Sequence, residues 1–227
     1  MALILSIETS TDVCSVALHN DGVLIGNQVH NIEKSHSSLL PGIAEDVLRE
    51  SKLKFEDLEA VAVSAGPGSY TGLRIGVTNA KGFCYAMSIP LIAIGTLDLM
   101  IQAVHNKFNG KHYLCPMLDA RRMEVYTKLV DQDLNEVLPL HPEILEETTF
   151  ADYQQQSVYV FGNGMPKFRE IANQDNLIFI DDIFPDAANM GGLAFEKFQS
   201  DKFEDMAYFE PDYLKEWRTT KPKKQLL

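Results

Sequence analysis

The chain has 227 residues, of which 45% are hydrophobic and 23% charged; these values are typical of a globular protein and exclude a disordered or fibrous chain. Its 20 lysines and arginines stand against 32 aspartates and glutamates, giving a net charge of −12 that repels phosphate backbones and disfavours a stand-alone nucleic-acid-binding protein. The one basic cluster is the tail 215–227, with five basic residues and one acid, which we interpret as a solvated terminus.

The cysteine spacing and the apolar runs exclude further classes of protein. Cys14, Cys84 and Cys115 lie far apart and form no C-x-x-C pair, which argues against zinc ribbons, redox motifs and secreted disulfide scaffolds. No apolar run approaches the roughly 18–20 residues of a membrane-spanning helix, and no basic region precedes the apolar start. We therefore expect a cytoplasmic protein without membrane contact.

The first half of the chain predicts three strands followed by alternating helices and strands. The apolar runs and period-2 alternation predict strands over 2–7, 12–19, 23–30, 60–64 and 90–94. Helical periodicity predicts helices over 35–53, 73–87 and about 96–106. The predicted order is βββαβαβα.

The second half repeats that order after a junction at Asn109-Gly110. The predicted strands cover 112–118, 124–131, 134–140, 158–161 and 177–180, and the predicted helices cover 142–155, 166–173 and 186–199. Two similar βββαβαβα lobes of an α/β protein resemble the actin-like (ASKHA) ATPase fold, in which two lobes clamp a nucleotide. We therefore predict an N-terminal lobe, 1–106, and a C-terminal lobe, 107–227, that includes the basic tail.

A glycine-rich turn over 65–74 joins a predicted strand to a predicted helix, where free backbone N–H groups can hold a phosphate. The turn matches neither a P-loop, nor a dinucleotide fingerprint, nor a nucleophile elbow. A tight turn without a ligand and a weak nucleotide site both remain open. The residues of the weak site would be Glu8, Thr9, Gly66, Gly68, Ser69 and Thr71. Glu8 either holds a metal–phosphate group, as in actin-like ATPases, or orients the first hairpin.

Small residues form a stripe on the helix after this turn. Gly72, Gly76 and Ala80 recur at every fourth position, although each helical glycine costs about 1 kcal/mol relative to alanine. Such a stripe permits close approach, either of the chain's own sheet or of a second protein. In the second case we expect it to dock beside the apolar stripe Leu39, Ile43 and Val47 of the preceding helix.

Catalytic patterns are scarce. The six histidines form neither H-x-x-x-H nor H-E-x-x-H, so a helical metal pair is absent from the sequence. Asp119 and Glu124 flank Arg121-Arg122, where an ion-paired bend is a simpler interpretation than an acid/base pair. We assign no catalytic and no metal-binding residue.

Three segments together resemble the bacterial TsaB (YeaZ) family. They are LSIETS at 5–10, VSAGPGSYTGLRIG at 63–76 and DARRMEVY at 119–126, and the motifs GNG at 162–164 and PDYL at 211–214 agree. The resemblance covers nearly the whole chain and implies the two-lobed actin-like fold. It implies a non-catalytic subunit in the synthesis of N6-threonylcarbamoyladenosine (t6A) at position 37 of tRNAs reading codons that start with A.

The resemblance also implies partners. The chain would dock to and activate the metal-bearing transferase TsaD in a heterodimer, together with TsaE, or would form a homodimer when TsaD is absent. ATP and metal would be carried by the partners, and tRNA would be met only through the complex. The docking surface would be the first two helices, so we add Ile75 to the predicted interface of Leu39, Ile43, Val47, Gly72, Gly76 and Ala80.

The sequence departs from the TsaD pattern at one place. TsaD relatives carry H-x-E-x-H after the helix that follows the glycine turn, whereas this chain has Ile94-Gly95-Thr96-Leu97-Asp98-Leu99-Met100. A single aspartate does not hold a transition metal. The alternatives are a stand-alone actin-like ATPase or kinase using Glu8 and the glycine turn, and a peptidase, for which both a metal motif and a nucleophile elbow are missing.

Overall fold

Two five-stranded mixed sheets organise the chain in a computed structural model that describes residues 2–31 and 36–214. The first sheet contains β1 (Leu3–Glu8), β2 (Val13–Asn20), β3 (Val23–Asn31), β4 (Ala60–Gly66) and β5 (Leu91–Gly95), in the spatial order β3-β2-β1-β4-β5. The second contains β6 (His112–Asp119), β7 (Glu124–Asp131), β8 (Glu136–Ile144), β9 (Ser157–Phe161) and β10 (Leu177–Ile180), in the order β10-β9-β6-β7-β8.

The helices lie between and after these strands. They are α1 (His36–Glu50), α2 (Tyr70–Met87), α3 (Thr96–Gln102), α4 (Met165–Arg169) and α5 (Gly191–Gln199), with short 3-10 turns at Phe55–Asp57, His105–Lys107, Ala151–Tyr153 and Ala187–Asn189. The predicted helix over 142–155 is wrong, because residues up to Ile144 continue β8 and a single 3-10 turn follows.

The first sheet is built around β1. All six residues of β1 are buried, as the continuous apolar run predicts for a strand covered on both faces. β1 pairs antiparallel with β2 and parallel with β4, so the carboxyl ends of β1 and β4 meet at one edge. Helices α1 and α2 cover one face of this sheet. The loops after β1 and β4 therefore lie side by side.

Two helices cross between the lobes. Leu97, Met100 and Ile101 of α3 pack in the core of the second sheet with Leu114 and Phe161. In exchange, α5 and the residue before it cover the other face of the first sheet, through Met190, Ala194 and Phe195. The two sheets lie on either side of the predicted boundary at 106–107, but each lobe receives a helix from the other half of the sequence.

The architecture is the actin-like fold predicted from the order of elements, with two sheets of corresponding strand order. No helix in residues 2–31 or 36–214 has both the length and the apolar character that a bilayer crossing requires. The basic tail 215–227 lies outside the described residues.

Candidate functional site

A cleft of about 960 Å³ separates the two lobes. It is bounded by the loop after β1, the amino-terminal end of α2, the β6–β7 hairpin, the loop before α4 and the chain near Tyr213. Its lining is rich in hydroxyl and carboxylate groups and comprises Ser10, Thr11, Asp12, Gly68, Ser69, Tyr70, Thr71, Leu118, Asp119, Ala120, Arg121, Glu124, Tyr126, Asn163 and Tyr213. Six residues were predicted to form a weak nucleotide site, and three of them, Gly68, Ser69 and Thr71, line this cleft.

The two loops of the first lobe are bonded to each other rather than left open. Ser69 N donates to the carbonyl of Ser10 at 2.7 Å, and the Thr9 hydroxyl donates to the carbonyl of Gly72 at 2.8 Å. Ser69 is the N-cap of α2, since its Oγ accepts from Gly72 N at 3.3 Å. The glycine turn is therefore fixed by the loop that follows β1.

The glycines of this turn are needed for contacts within the chain. A Cβ on Gly68 would overlap Ser10, and a Cβ on Gly72 would overlap the carbonyl oxygen of Thr9. Gly66 has φ +120°, and a Cβ there would overlap the carbonyl oxygen of Asp212. These close approaches account for the glycines without a bound phosphate, and nucleotide binding by the turn stays a prediction.

The small-residue stripe of α2 faces the chain's own sheet. A Cβ on Gly76 would overlap the Thr9 hydroxyl and come within 3.5 Å of Val63 of β4, and Ala80 is fully buried in the same core. With Gly72 buried as well, the prediction that this stripe is an exposed docking face is wrong for Gly72, Gly76 and Ala80. The stripe exists because α2 lies close to β4 and to the loop after β1.

The remaining predicted interface residues differ in exposure. Ile43 and Val47 are buried, with 6% and 1% of their surface exposed, and Ile75 is partly buried against the same core. Of the seven residues, Leu39 is clearly exposed, at 44%. Burial excludes Ile43 and Val47 from a surface that docks without rearrangement, whereas contact through Leu39 and Ile75 stays a prediction.

The outer face of α1 and α2 carries a signal that the sequence analysis missed. Gly42 of α1 and Gly82 of α2 are exposed, and neither would bring a Cβ within 4 Å of another part of the chain. Each lies inside a helix, where glycine costs about 1 kcal/mol relative to alanine. No contact among the described residues requires either glycine. The spacing of glycines along the sequence does not distinguish these exposed glycines from the buried Gly72 and Gly76.

Glu8 is buried completely at the end of β1. Its Oε1 accepts a hydrogen bond from Ser10 N, whereas Oε2 has no hydrogen-bond partner among the described residues. Burial raises the pKa of the Glu8 carboxyl to about 7. This geometry supports the interpretation that Glu8 orients the first hairpin.

The opposite wall is the β6–β7 hairpin, held by one lysine. Lys167 Nζ donates to Asp119 Oδ1 at 2.5 Å and to the carbonyl oxygens of Arg122 and Glu124 at 2.8 and 2.5 Å. The Asn163 side chain accepts from Asp119 N at 2.9 Å. Asp119 is thus ion-paired, with Lys167 rather than with the arginines next to it in sequence.

Asp98 is also engaged. Its Oδ1 accepts from Lys128 Nζ at 3.0 Å, and Glu136 pairs with the same lysine at 3.4 Å. Within residues 2–31 and 36–214, no group of three or more His, Cys, Asp or Glu side chains is placed to share a metal ion.

The segment 211–214 returns from the second half to the glycine turn. Asp212 N donates to the carbonyl of Ala65 at 2.7 Å, and Gly66 makes room for the Asp212 carbonyl. Next to it, the ring of Tyr213 lies 4.5 Å from that of Tyr70, on the rim of the cleft. The motif PDYL was noted in the sequence, but its contact with the glycine turn joins residues almost 150 positions apart and could not be derived from spacing.

Comparison with known proteins agrees with the fold and the motifs. A family model described as TsaD, tRNA N6-adenosine threonylcarbamoyltransferase, matches residues 24–215. The tRNA threonylcarbamoyladenosine biosynthesis protein TsaB of Escherichia coli K12 is 31% identical over 93% of this chain and 94% of its own length. The TsaB protein of Haemophilus influenzae is 28% identical over 93% of both chains.

A solved structure from Pseudomonas aeruginosa, described as an uncharacterized protein with similarity to peptidase YEAZ, has the same fold. It superposes with a TM-score of 0.83 at 24% identity and covers 95% of this chain and 100% of its own. With 31% identity to the E. coli protein across nearly the full length of both, this chain belongs to the TsaB family.

Proposed function

We propose that this chain is a non-catalytic subunit of the assembly that forms t6A at position 37 of tRNAs reading codons that start with A. It docks to the TsaD-type transferase through the exposed face of α1 and α2 and thereby activates it. Its family membership supports the pathway, and the features below support the mode of action.

The observation that carries the proposal is the pair of open glycines, Gly42 and Gly82. They lie on two neighbouring helices, on the side away from the sheet, with Leu39 and Tyr85 exposed beside them at 44% and 79%. Helices of two proteins approach each other most closely where side chains are smallest, and glycine allows the closest approach. A partner helix across this face explains why glycine is present at both positions.

The contacts of Asp98 support a role without metal chemistry. At the place where the resemblance to TsaD leads us to look for histidine ligands, the chain has one carboxylate, and that carboxylate is paired with Lys128. The glycines of the turn are likewise explained by contacts within the chain, so they do not by themselves support the stand-alone ATPase. In this proposal ATP and metal are carried by the partner subunits.

The other partners follow from the same proposal. TsaE joins the assembly, tRNA is met only through the complex, and the α1–α2 face pairs with a second copy when TsaD is absent. The place of action is the cytoplasm, where the tRNA substrates are.

The test is Gly82→Leu, which adds a large side chain to the exposed face and leaves the core untouched. Pull-down and calorimetry with TsaD from the same organism should show association weakened by about 30-fold or more, the scale of a central interface residue. Gly192→Leu is the matched control, since Gly192 is an equally open helical glycine on α5. Unchanged association of Gly82→Leu, or equal loss in both variants, contradicts the proposed docking face.

A further inference from the structure

Arg74 of α2 is exposed and yet held in place by two tyrosines. Its guanidinium carbon lies 4.3 Å from the centre of the Tyr70 ring, and its Nε donates to the Tyr213 hydroxyl at 3.2 Å. The two rings lie 4.5 Å apart. The arginine is therefore stacked on one ring and hydrogen-bonded to the other.

The tyrosine that holds Arg74 is itself anchored. Tyr213 follows Asp212, whose N–H donates to the carbonyl of Ala65 and whose carbonyl occupies the space left by Gly66. An exposed arginine ordinarily loses much of its side-chain entropy on forming a contact. Here part of that loss has already occurred in the unbound chain.

The hydrogen-bonding capacity of this guanidinium is largely unused. Nε is the one nitrogen with a hydrogen bond among the described residues. Glu210 lies close enough to attract the guanidinium, but no carboxylate of the described residues comes within the 4 Å of an ion pair with Arg74. The terminal amino groups thus present a planar fork of donors, the geometry that binds a carboxylate through two parallel hydrogen bonds. A fixed fork in a chain of net charge −12 has the character of a specific anion receptor.

The position of the fork relates it to the proposed docking face. Arg74, Thr78 and Gly82 are spaced by four residues and are all exposed, so they share one face of α2. Arg74 and Gly82 are separated by about 12 Å along the helix axis. A partner helix that packs over Gly82 and runs nearly parallel or antiparallel to α2 reaches Arg74 about two turns away.

We propose that Arg74 is a preorganised receptor for a carboxylate of the partner protein that docks on α1 and α2. This inference rests on the proposed function and adds the chemistry of the partner: an Asp or Glu about seven or eight residues along its helix from the residue that faces Gly82. A carboxylate is favoured over an RNA phosphate because the chain's net charge of −12 repels a polyanion more strongly than a single carboxylate.

The test measures binding of TsaD to four full-length variants. Arg74→Ala removes the fork, Arg74→Lys keeps the charge without the fork, and Tyr213→Phe keeps the ring but releases Nε. Arg169→Ala is the control, because Arg169 is a comparably exposed arginine stacked on Phe179 in the other lobe.

We expect Arg74→Ala and Arg74→Lys to weaken binding by about 10- to 100-fold, mainly through faster dissociation, as for a charged pair at an interface. Tyr213→Phe should cost about 3- to 10-fold, since it removes preorganisation and not the contact. Arg169→Ala should bind like the natural chain. One Asp→Asn or Glu→Gln variant of the partner should lose affinity by itself and lose none further with Arg74→Ala.

Three results overturn the proposal. If Arg74→Ala binds TsaD normally while Gly82→Leu does not, the docking face stands and the carboxylate receptor is wrong. If Arg74→Ala lowers only the melting temperature and loosens 205–214 in hydrogen exchange, Arg74 merely fastens that segment. If it weakens tRNA binding by the assembly with unchanged affinity for TsaD, the ligand is a phosphate.

Discussion

The Glu8 carboxyl is fully buried with one oxygen lacking a hydrogen bond, so its ionised form is costly. Burial raises its pKa from 4.5 to about 7. In the folded chain this group binds a proton that the unfolded chain has already released at intermediate pH. Its contribution to stability is therefore present at low pH and is lost as the pH rises from about 4.5 to about 7.

We predict that Glu8→Gln removes this pH dependence. The amide resembles the protonated acid, and its oxygen can still accept from Ser10 N. At pH 8 the variant should be more stable than the natural chain, by up to about 3 kcal/mol, and below pH 4.5 the two should differ little. Urea unfolding at pH 4.5, 6 and 8 measures the difference.

Glu45→Gln, on the exposed side of α1, is the control and should leave the free energy of unfolding unchanged at all three pH values. A Glu8→Gln variant that is less stable than the natural chain at pH 8 would mean that the ionised carboxylate is satisfied in the fold.

At the scale of the element, α2 carries glycines on two faces. One face has no room for a side chain at its glycines, and the other has open space there. Gly72 and Gly76 press against Thr9 and the sheet, whereas Gly82 faces outward with nothing near it. The spacing of small residues correctly predicted that another structural element packs closely against α2. It did not identify that element as the chain's own sheet. The sheet that covers Gly76 comes from strands distant in the chain, so a periodicity within the helix does not identify it.

We predict that Gly76→Leu unfolds or strongly destabilises the isolated chain. The new side chain would displace Thr9 and Val63, and overpacking of a buried site typically costs 1–3 kcal/mol or more. Gly82→Ala should instead raise stability by about 0.5–1 kcal/mol, because alanine is the better helix former. Thermal unfolding of both variants tests this, and a Gly76→Leu chain with the natural melting temperature contradicts the packing described here.

The wrongly predicted helix over 142–155 has a physical reason. β8 is an edge strand, and it contains Pro139 and Pro142. Proline is tolerated at an edge, since one side of the strand needs no hydrogen-bond donor. The predicted helix begins at Pro142, a residue type that the first turn of a helix tolerates, whereas the edge position is a property of the assembled sheet.

At the scale of the whole molecule, the exchange of α3 and α5 joins the lobes. The order of elements was readable because buried strands and amphipathic helices have distinct periods. Which sheet each helix covers was not readable, since Leu97 and Met100 are apolar in either arrangement. The cleft has walls from both halves of the chain and a rim completed by Tyr213.

This arrangement suits a subunit that acts through its surface. The loops that meet at the cleft are bonded to one another, Lys167 fixes the β6–β7 hairpin, and Asp98 is paired with Lys128. The open glycines Gly42 and Gly82 and the terminal amino groups of Arg74 lie on the outer surface. The central claim is therefore that docking, and not chemistry in this chain, is what it contributes.

Reconstituted t6A synthesis tests that claim most directly, with tRNA, threonylcarbamoyl-adenylate, TsaD, TsaE and this chain, each omitted in turn. We predict no t6A from this chain alone, t6A when TsaD is added, loss with Gly82→Leu in proportion to lost association, and retained synthesis with Glu8→Gln. Modification of tRNA by the isolated chain, or loss of synthesis in Glu8→Gln while TsaD still binds, would contradict the account.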